Sequence, residues 1–190
     1  MRHATWVNAA VALVALAAAI ASLMLVPGVR GYLGAGLALI AAAIAAVDAR
    51  RFIIPDELSI AGLVLALAHA WANVPYAALE AVGLAVLRGI VLALMFLALR
   101  AIYRHLRGRH GIGLGDVKLA GVAGAWLDWL SAMLAIEIAA LGALAFFALW
   151  HFAGRRTVRA TSRVPFGVFL APAIWIAWLI ETVWLTTALL

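Results

Sequence analysis

The chain has 190 residues, 68% of them hydrophobic and only 12% charged, about half the ~25% charged content of an average soluble domain. That composition describes an integral membrane protein and excludes an ordinary soluble enzyme. Cysteine is absent, which excludes disulfides, thiolate nucleophiles and thiolate metal sites. The formal charge of +6 is read first as a bias of Lys and Arg toward one membrane face.

In chain order, Met1-Arg2-His3 is a short basic start, and Trp6 to Val26 carries no charge. At ~1.5 Å per residue that run covers the ~30 Å hydrocarbon core. A secretory signal peptide would have an apolar core of only about 7–15 residues, so the run predicts a permanent first span. Pro27-Gly28-Val29-Arg30-Gly31 makes a turn. Tyr32 to Val47 is a second apolar run rich in small residues, which let helices approach closely in lipid, and it ends at Asp48. The charged cluster Asp48 to Glu57 follows. Pro55 suits a helix start, and Asp56 and Glu57 suit the first turn, so Leu58 to Val74 is the third span. The fourth runs from about Tyr76 to Tyr103 with Arg88 inside it, and exits into a basic loop of Arg100, Arg104, His105, Arg107, Arg109 and His110. Val117 to about Trp129 is a short fifth span, with Gly121 and Gly124 as close-packing points and Asp128 at its far end. Leu130 to Phe152 is the sixth and carries Glu137. A second basic loop holds Arg155, Arg156, Arg159 and Arg163. The seventh, Val164 to Leu190, opens with Pro165-Phe166-Gly167 and carries Pro172 and Glu181.

The fold class is therefore all-α, a polytopic bundle of about seven spans. With a cytoplasmic N-terminus, the turns near Gly28, Asn73 and Asp128 lie outside. All of the 14 Lys and Arg residues except Arg30 and Arg88 then fall on the cytoplasmic side, as the positive-inside rule requires. The basic charge is accounted for by topology, and no nucleic-acid partner is implied. The partner is the lipid bilayer.

This topology places Asp48 and Asp116 at the same membrane face, each at a helix end. Two carboxylates that share a site do not easily both ionise, so one holds a proton while the other is a base. Such a pair can activate water for attack on a peptide carbonyl without a metal. Taken alone, Asp48 also reads as an interfacial charge beside Arg50 or Arg51, and Asp116 as a carboxylate favoured by a helix N-terminus.

The motifs around them resemble one family. Gly113-Leu114-Gly115-Asp116 matches the G-x-G-D motif of intramembrane aspartic peptidases, and Asp116-Val117-Lys118-Leu119 extends it as in prepilin peptidases. Asp48 followed by Ile54-Pro55-Asp56-Glu57-Leu58-Ser59 is similar to that family's first catalytic motif, and Val164-Pro165-Phe166-Gly167-Val168-Phe169-Leu170 to its third recurrent stretch. The resemblance runs from about Tyr32 to the C-terminus. It divides the chain into an N-terminal extra span and turn, 1–31, and a prepilin peptidase-like membrane domain, 32–190.

The resemblance implies a bacterial inner-membrane endopeptidase. It would remove the short basic leader of prepilins or pseudopilins at the cytoplasmic face, with Asp48 and Asp116 as the catalytic pair. Gly113, Gly115, Lys118, Pro55, Asp56, Pro165 and Gly167 would be its supporting motif. Pilus or secretion assembly machinery is the implied wider partner. Larger members carry a cytoplasmic insertion with paired C-x-x-C motifs and methylate the new N-terminus. This chain has neither, so no methyltransferase activity, S-adenosylmethionine or other cofactor is expected.

No metal is expected either, since His105 and His110 have no carboxylate or cysteine beside them. His69 reads as a satisfied intramembrane polar residue, and Trp126 and Trp129 as members of an interfacial aromatic belt. Arg88 and Glu137 lie within hydrocarbon, where unpaired charge is expensive. They are expected to pair between the fourth and sixth spans or to reach polar groups in the bundle. Two other classes compete: a transporter or ion-translocating protein using the membrane aspartates, and a non-catalytic assembly factor.

Overall fold

In the computed structural model of the chain, residues 2–108, 111–152 and 165–188 are described. Arg109, His110 and the second basic loop with Arg155, Arg156, Arg159 and Arg163 lie outside the described residues. Each charge-poor run forms a helix, because a backbone in hydrocarbon must satisfy its own polar groups. The helices are α1 (Arg2–Leu25), α2 (Val29–Arg51), α3 (Asp56–Asn73), α4 (Ala78–Arg107), α5 (Leu114–Trp126), α6 (Trp129–Phe152) and α7 (Gly167–Ala188). A short 3-10 turn, Pro75–Ala77, links α3 to α4, and no strand occurs among the described residues. Four stretches are long and apolar enough to cross a membrane: Val29–Arg51, Pro75–Arg107, Trp129–Phe152 and Gly167–Trp184. The protein is an all-α membrane bundle.

The helices α2, α3, α5 and α7 surround a core of Leu37, Ile44, Leu119, Val122, Leu170, Ile174 and Trp178. Helix α4 lies along α5, α6 packs on α7, and α1 packs on α2. The α4–α5 crossing is close because glycine removes the side chain at the contact. A Cβ on Gly89 would stand 2.8 Å from the Gly121 carbonyl oxygen, and one on Gly124 would meet the Arg88 carbonyl oxygen at 2.5 Å. The first helix is not a loose appendage. Ser22, fully buried, accepts a 2.9 Å hydrogen bond from Trp175 Nε1 of α7.

The fifth span is as short as expected and is shifted three residues toward the N-terminus. Helix α5 has 13 residues, about 20 Å at ~1.5 Å per residue, against ~30 Å of hydrocarbon. The α5–α6 turn follows at once, flanked by α4 and α7. Its backbone is satisfied by polar side chains. Arg88, about 15 Å along α4 from Ala78, donates from Nε to the Gly124 carbonyl at 3.2 Å, where the negative end of the α5 dipole favours a cation. Asp128 Oδ1 accepts the Ser131 N–H at 2.7 Å and caps α6. Glu181 of α7 reaches Ser131 and the Asp128 backbone and feels the Arg88 charge. Arg88 thus takes the second of its expected roles, and Glu137, exposed on α6, is not its partner.

Trp126 is also reassigned. It is 3% exposed and stacks on His69 with ring centroids 4.6 Å apart, so it belongs to the core and not to an aromatic belt. His69 is satisfied as expected, accepting from Trp178 Nε1 at 3.1 Å and meeting the Asn73 amide. Arg30 closes this end by donating to the Asn73 carbonyl at 3.1 Å.

Candidate active site

Asp48 sits in the last turn of α2, and only 4% of it is exposed. Helix α2 ends just beyond it at Phe52, whose backbone is left-handed (φ 54°) and whose N–H caps the Asp48 carbonyl at 2.9 Å. A bulky residue in that region is uncommon. It turns the chain sharply, so that Ile54 packs back beneath the end of α2 with 5% exposure. Pro55 then starts α3, its carbonyl accepting both the N–H and the hydroxyl of Ser59 at 3.2 Å.

The Asp48 carboxylate faces the start of α7. Its Oδ2 accepts the Val168 N–H at 3.2 Å, and the Gly167 N–H is a second donor. A helix N-terminus offers free N–H groups and a positive dipole end to an anion. The approach is so close that a Cβ on Gly167 would stand 2.8 Å from Asp48 Oδ2 and 2.8 Å from Ile54 Cδ1. Pro165 contributes by accepting the Val168 N–H at 3.2 Å in the opening turn. The bland reading of Asp48, an exposed interfacial charge, does not describe this buried carboxylate.

Asp116 lies in the first turn of α5, where its Oδ2 accepts the Gly113 N–H at 3.0 Å. The preceding residue, Gly115, is pressed on Ile54, with a would-be Cβ at 2.9 Å from Ile54 Cβ. Ile54 therefore touches the glycine before one aspartate and the glycine that faces the other. The two carboxylates flank this one side chain and are close enough to feel each other's charge. The glycine loop is held from α4. Tyr103 packs its ring on Gly111, and Arg100 Nη1 donates to the Ile112 carbonyl while its charge reaches Asp116.

Lys118 points away from Asp116, as an offset of two residues on a helix requires, and forms an ion pair with Asp56 Oδ1. Both partners are exposed, at 47% and 66%. The pair ties the start of α5 to the start of α3. The structure thus sets Gly115 and Gly167 against Ile54, with Gly113 on Asp116, Pro165 in the turn that faces Asp48, and Pro55, Asp56 and Lys118 on the adjoining rim. Sequence reasoning gave no site role to Ile54, Val168 or Arg100, although the first two lie inside the motifs. The first is an ordinary hydrophobe, the second acts through its backbone, and the third was read only as loop charge.

Residues 35–149 match the type IV leader peptidase family, a stretch that contains both aspartates and more than half of the chain. The chain belongs to the type IV leader peptidase family. Among relatives, it is 34% identical over 140 residues to the prepilin leader peptidase/N-methyltransferase of Burkholderia pseudomallei (strain K96243), covering 72% of this chain and 42% of that protein. The protein of the same name from Aeromonas salmonicida (strain A449) is 29% identical over 169 residues, 87% of this chain and 55% of the relative. That of Dickeya chrysanthemi is 33% identical over 151 residues, 72% and 49% respectively. The chain spans about half the length of the relatives it matches. No solved structure matches it.

Proposed function

We propose that the protein is a membrane aspartic endopeptidase that removes the short basic leader from prepilin or pseudopilin substrates. The work would be done at the cytoplasmic face of the inner membrane, with Asp48 and Asp116 activating the attacking water. The observation that carries this reading is the pair itself. Asp48 accepts the backbone N–H groups of Val168 and Gly167, and Asp116 that of Gly113, so both carboxylates are held from the backbone on either side of Ile54.

With one proton shared by the pair, the ionised carboxylate takes a proton from water as the water oxygen attacks the scissile carbonyl. The protonated carboxyl donates to the carbonyl oxygen, forming a gem-diol. Collapse of the diol returns a proton to the carbonyl side of the pair and delivers the other to the departing amide nitrogen. Titration belongs to the pair, not to either residue. Ile54 would separate the carboxylates and exclude bulk water beside them. The exposed acids Asp56 and Glu57 stand nearby on the face where a basic leader would lie.

The ion-translocation alternative calls for acids strung through the bundle. Here Arg88, Asp128 and Glu181 are engaged in closing the α5–α6 turn. Co-expression with a candidate prepilin tests the proposal, with leader loss read as a gel shift. Asp48→Asn and Asp116→Asn should each abolish the shift while the protein stays inserted. Substantial processing by either variant would overturn the dyad.

A further inference from the structure

Beside the glycine loop, α4 carries an open groove of about 560 Å³ lined by Leu97, Arg100, Ala101, Arg104 and His105. The geometry points to a binding site for the phosphate headgroup of an anionic phospholipid. Three observations carry this. First, depth: Arg100 stands about 33 Å along α4 from Ala78 at ~1.5 Å per residue, just past the ~30 Å hydrocarbon layer. Leu97 and Ala101 therefore fall at the acyl–glycerol boundary and Arg104 and His105 in the headgroup layer. Second, charge: the described lining contains two arginines and a histidine and no acid. Third, the groove continues into an apolar face, with Leu94 one turn below Leu97 on the same side of α4 and 56% exposed. A free phosphate would use the cations but gain nothing from that apolar wall.

The site also touches the glycine loop through one residue. Arg100 lines the groove and holds the Ile112 carbonyl, so a phosphate on its remaining N–H groups would fix the guanidinium and with it the loop before Asp116. A basic peptide would be repelled here, so the groove is distinct from any surface that takes a basic leader. The lipid site does not depend on the proposed peptidase activity.

Native mass spectrometry of the full chain released from nanodiscs of phosphatidylglycerol, or of phosphatidylcholine, tests the site. The wild type should retain phosphatidylglycerol and shed phosphatidylcholine. Arg104→Gln should weaken retention about fivefold, the effect of one basic residue at an anionic surface. Leu97→Trp should block the groove with the charges intact. Hydrogen exchange of the loop amides 111–116 should be slower in phosphatidylglycerol than in phosphatidylcholine. Equal retention of the two lipids, or retention by Leu97→Trp as strong as wild type, overturns the site. Displacement of the lipid by millimolar inorganic phosphate overturns the lipid assignment in favour of a free anion. Loop exchange unchanged by bound lipid overturns the link through Arg100.

Discussion

Gly167→Ala isolates the contact between α7 and Asp48. The added methyl would stand 2.8 Å from Asp48 Oδ2 and 2.8 Å from Ile54 Cδ1, so either the carboxylate or the start of α7 must move. Forcing a methyl into a packed site costs about 1–3 kcal/mol. The charge-assisted hydrogen bond from Val168 that the shift would break contributes about 1.5–3 kcal/mol. A displacement of roughly 1 Å at a reacting group can lower a rate about 100-fold. The expected result is therefore a modest loss of stability with a much larger loss of leader removal. The assay pairs the gel shift with thermal unfolding in detergent. Gly142→Ala is the control, because its Cβ would meet Phe169 Cδ1 at an ordinary 3.5 Å and alanine favours the helix interior by about 0.5–1 kcal/mol. If Gly167→Ala processed prepilin at the wild-type rate, Asp48 would not depend on the α7 terminus, and the reasoning would fail.

Arg88→Ala should lower membrane protein levels and cost about 1.5–3 kcal/mol, since it removes the charged hydrogen bond to the Gly124 carbonyl. Exchanging charges with Glu137 in an Arg88→Glu/Glu137→Arg double variant should not rescue it, and rescue measured by immunoblot would restore the α4–α6 pair. Lys118 and Asp56 should show a double-mutant coupling of only about 0.2–1 kcal/mol by thermal unfolding, because the pair is exposed, and raised salt should shrink it. A larger, salt-independent coupling would mean that the pair does more than tie two helix starts together.

Helix identity was legible in the sequence because lipid imposes one rule on every charge-free run. The shared face of Asp48 and Asp116 followed from counting spans. What the sequence did not reveal was which groups meet between helices. Trp126-Leu127-Asp128-Trp129-Leu130 is apolar on both sides of one aspartate, and nothing local says what closes the α5–α6 turn. One closing group comes from α4, where Arg88 meets α5 across 36 positions of chain. Trp126 was misjudged for the same reason, since its partner His69 lies on another helix. The role of Pro165-Phe166-Gly167 was hidden more deeply. Its contact with Asp48 spans 120 positions and is made by a backbone N–H, which no side-chain pattern encodes.

The shortness of α5 has a consequence for how the interior of the bundle is held. Every residue from Val122 to Leu127 is buried, so the end of α5 meets protein and not lipid, and its last carbonyls must find partners on neighbouring helices. Arg88 of α4 supplies one such partner, and Glu181 of α7 reaches the turn that follows. Two helices that run the length of the bundle are thereby fastened to each other through a turn that belongs to neither.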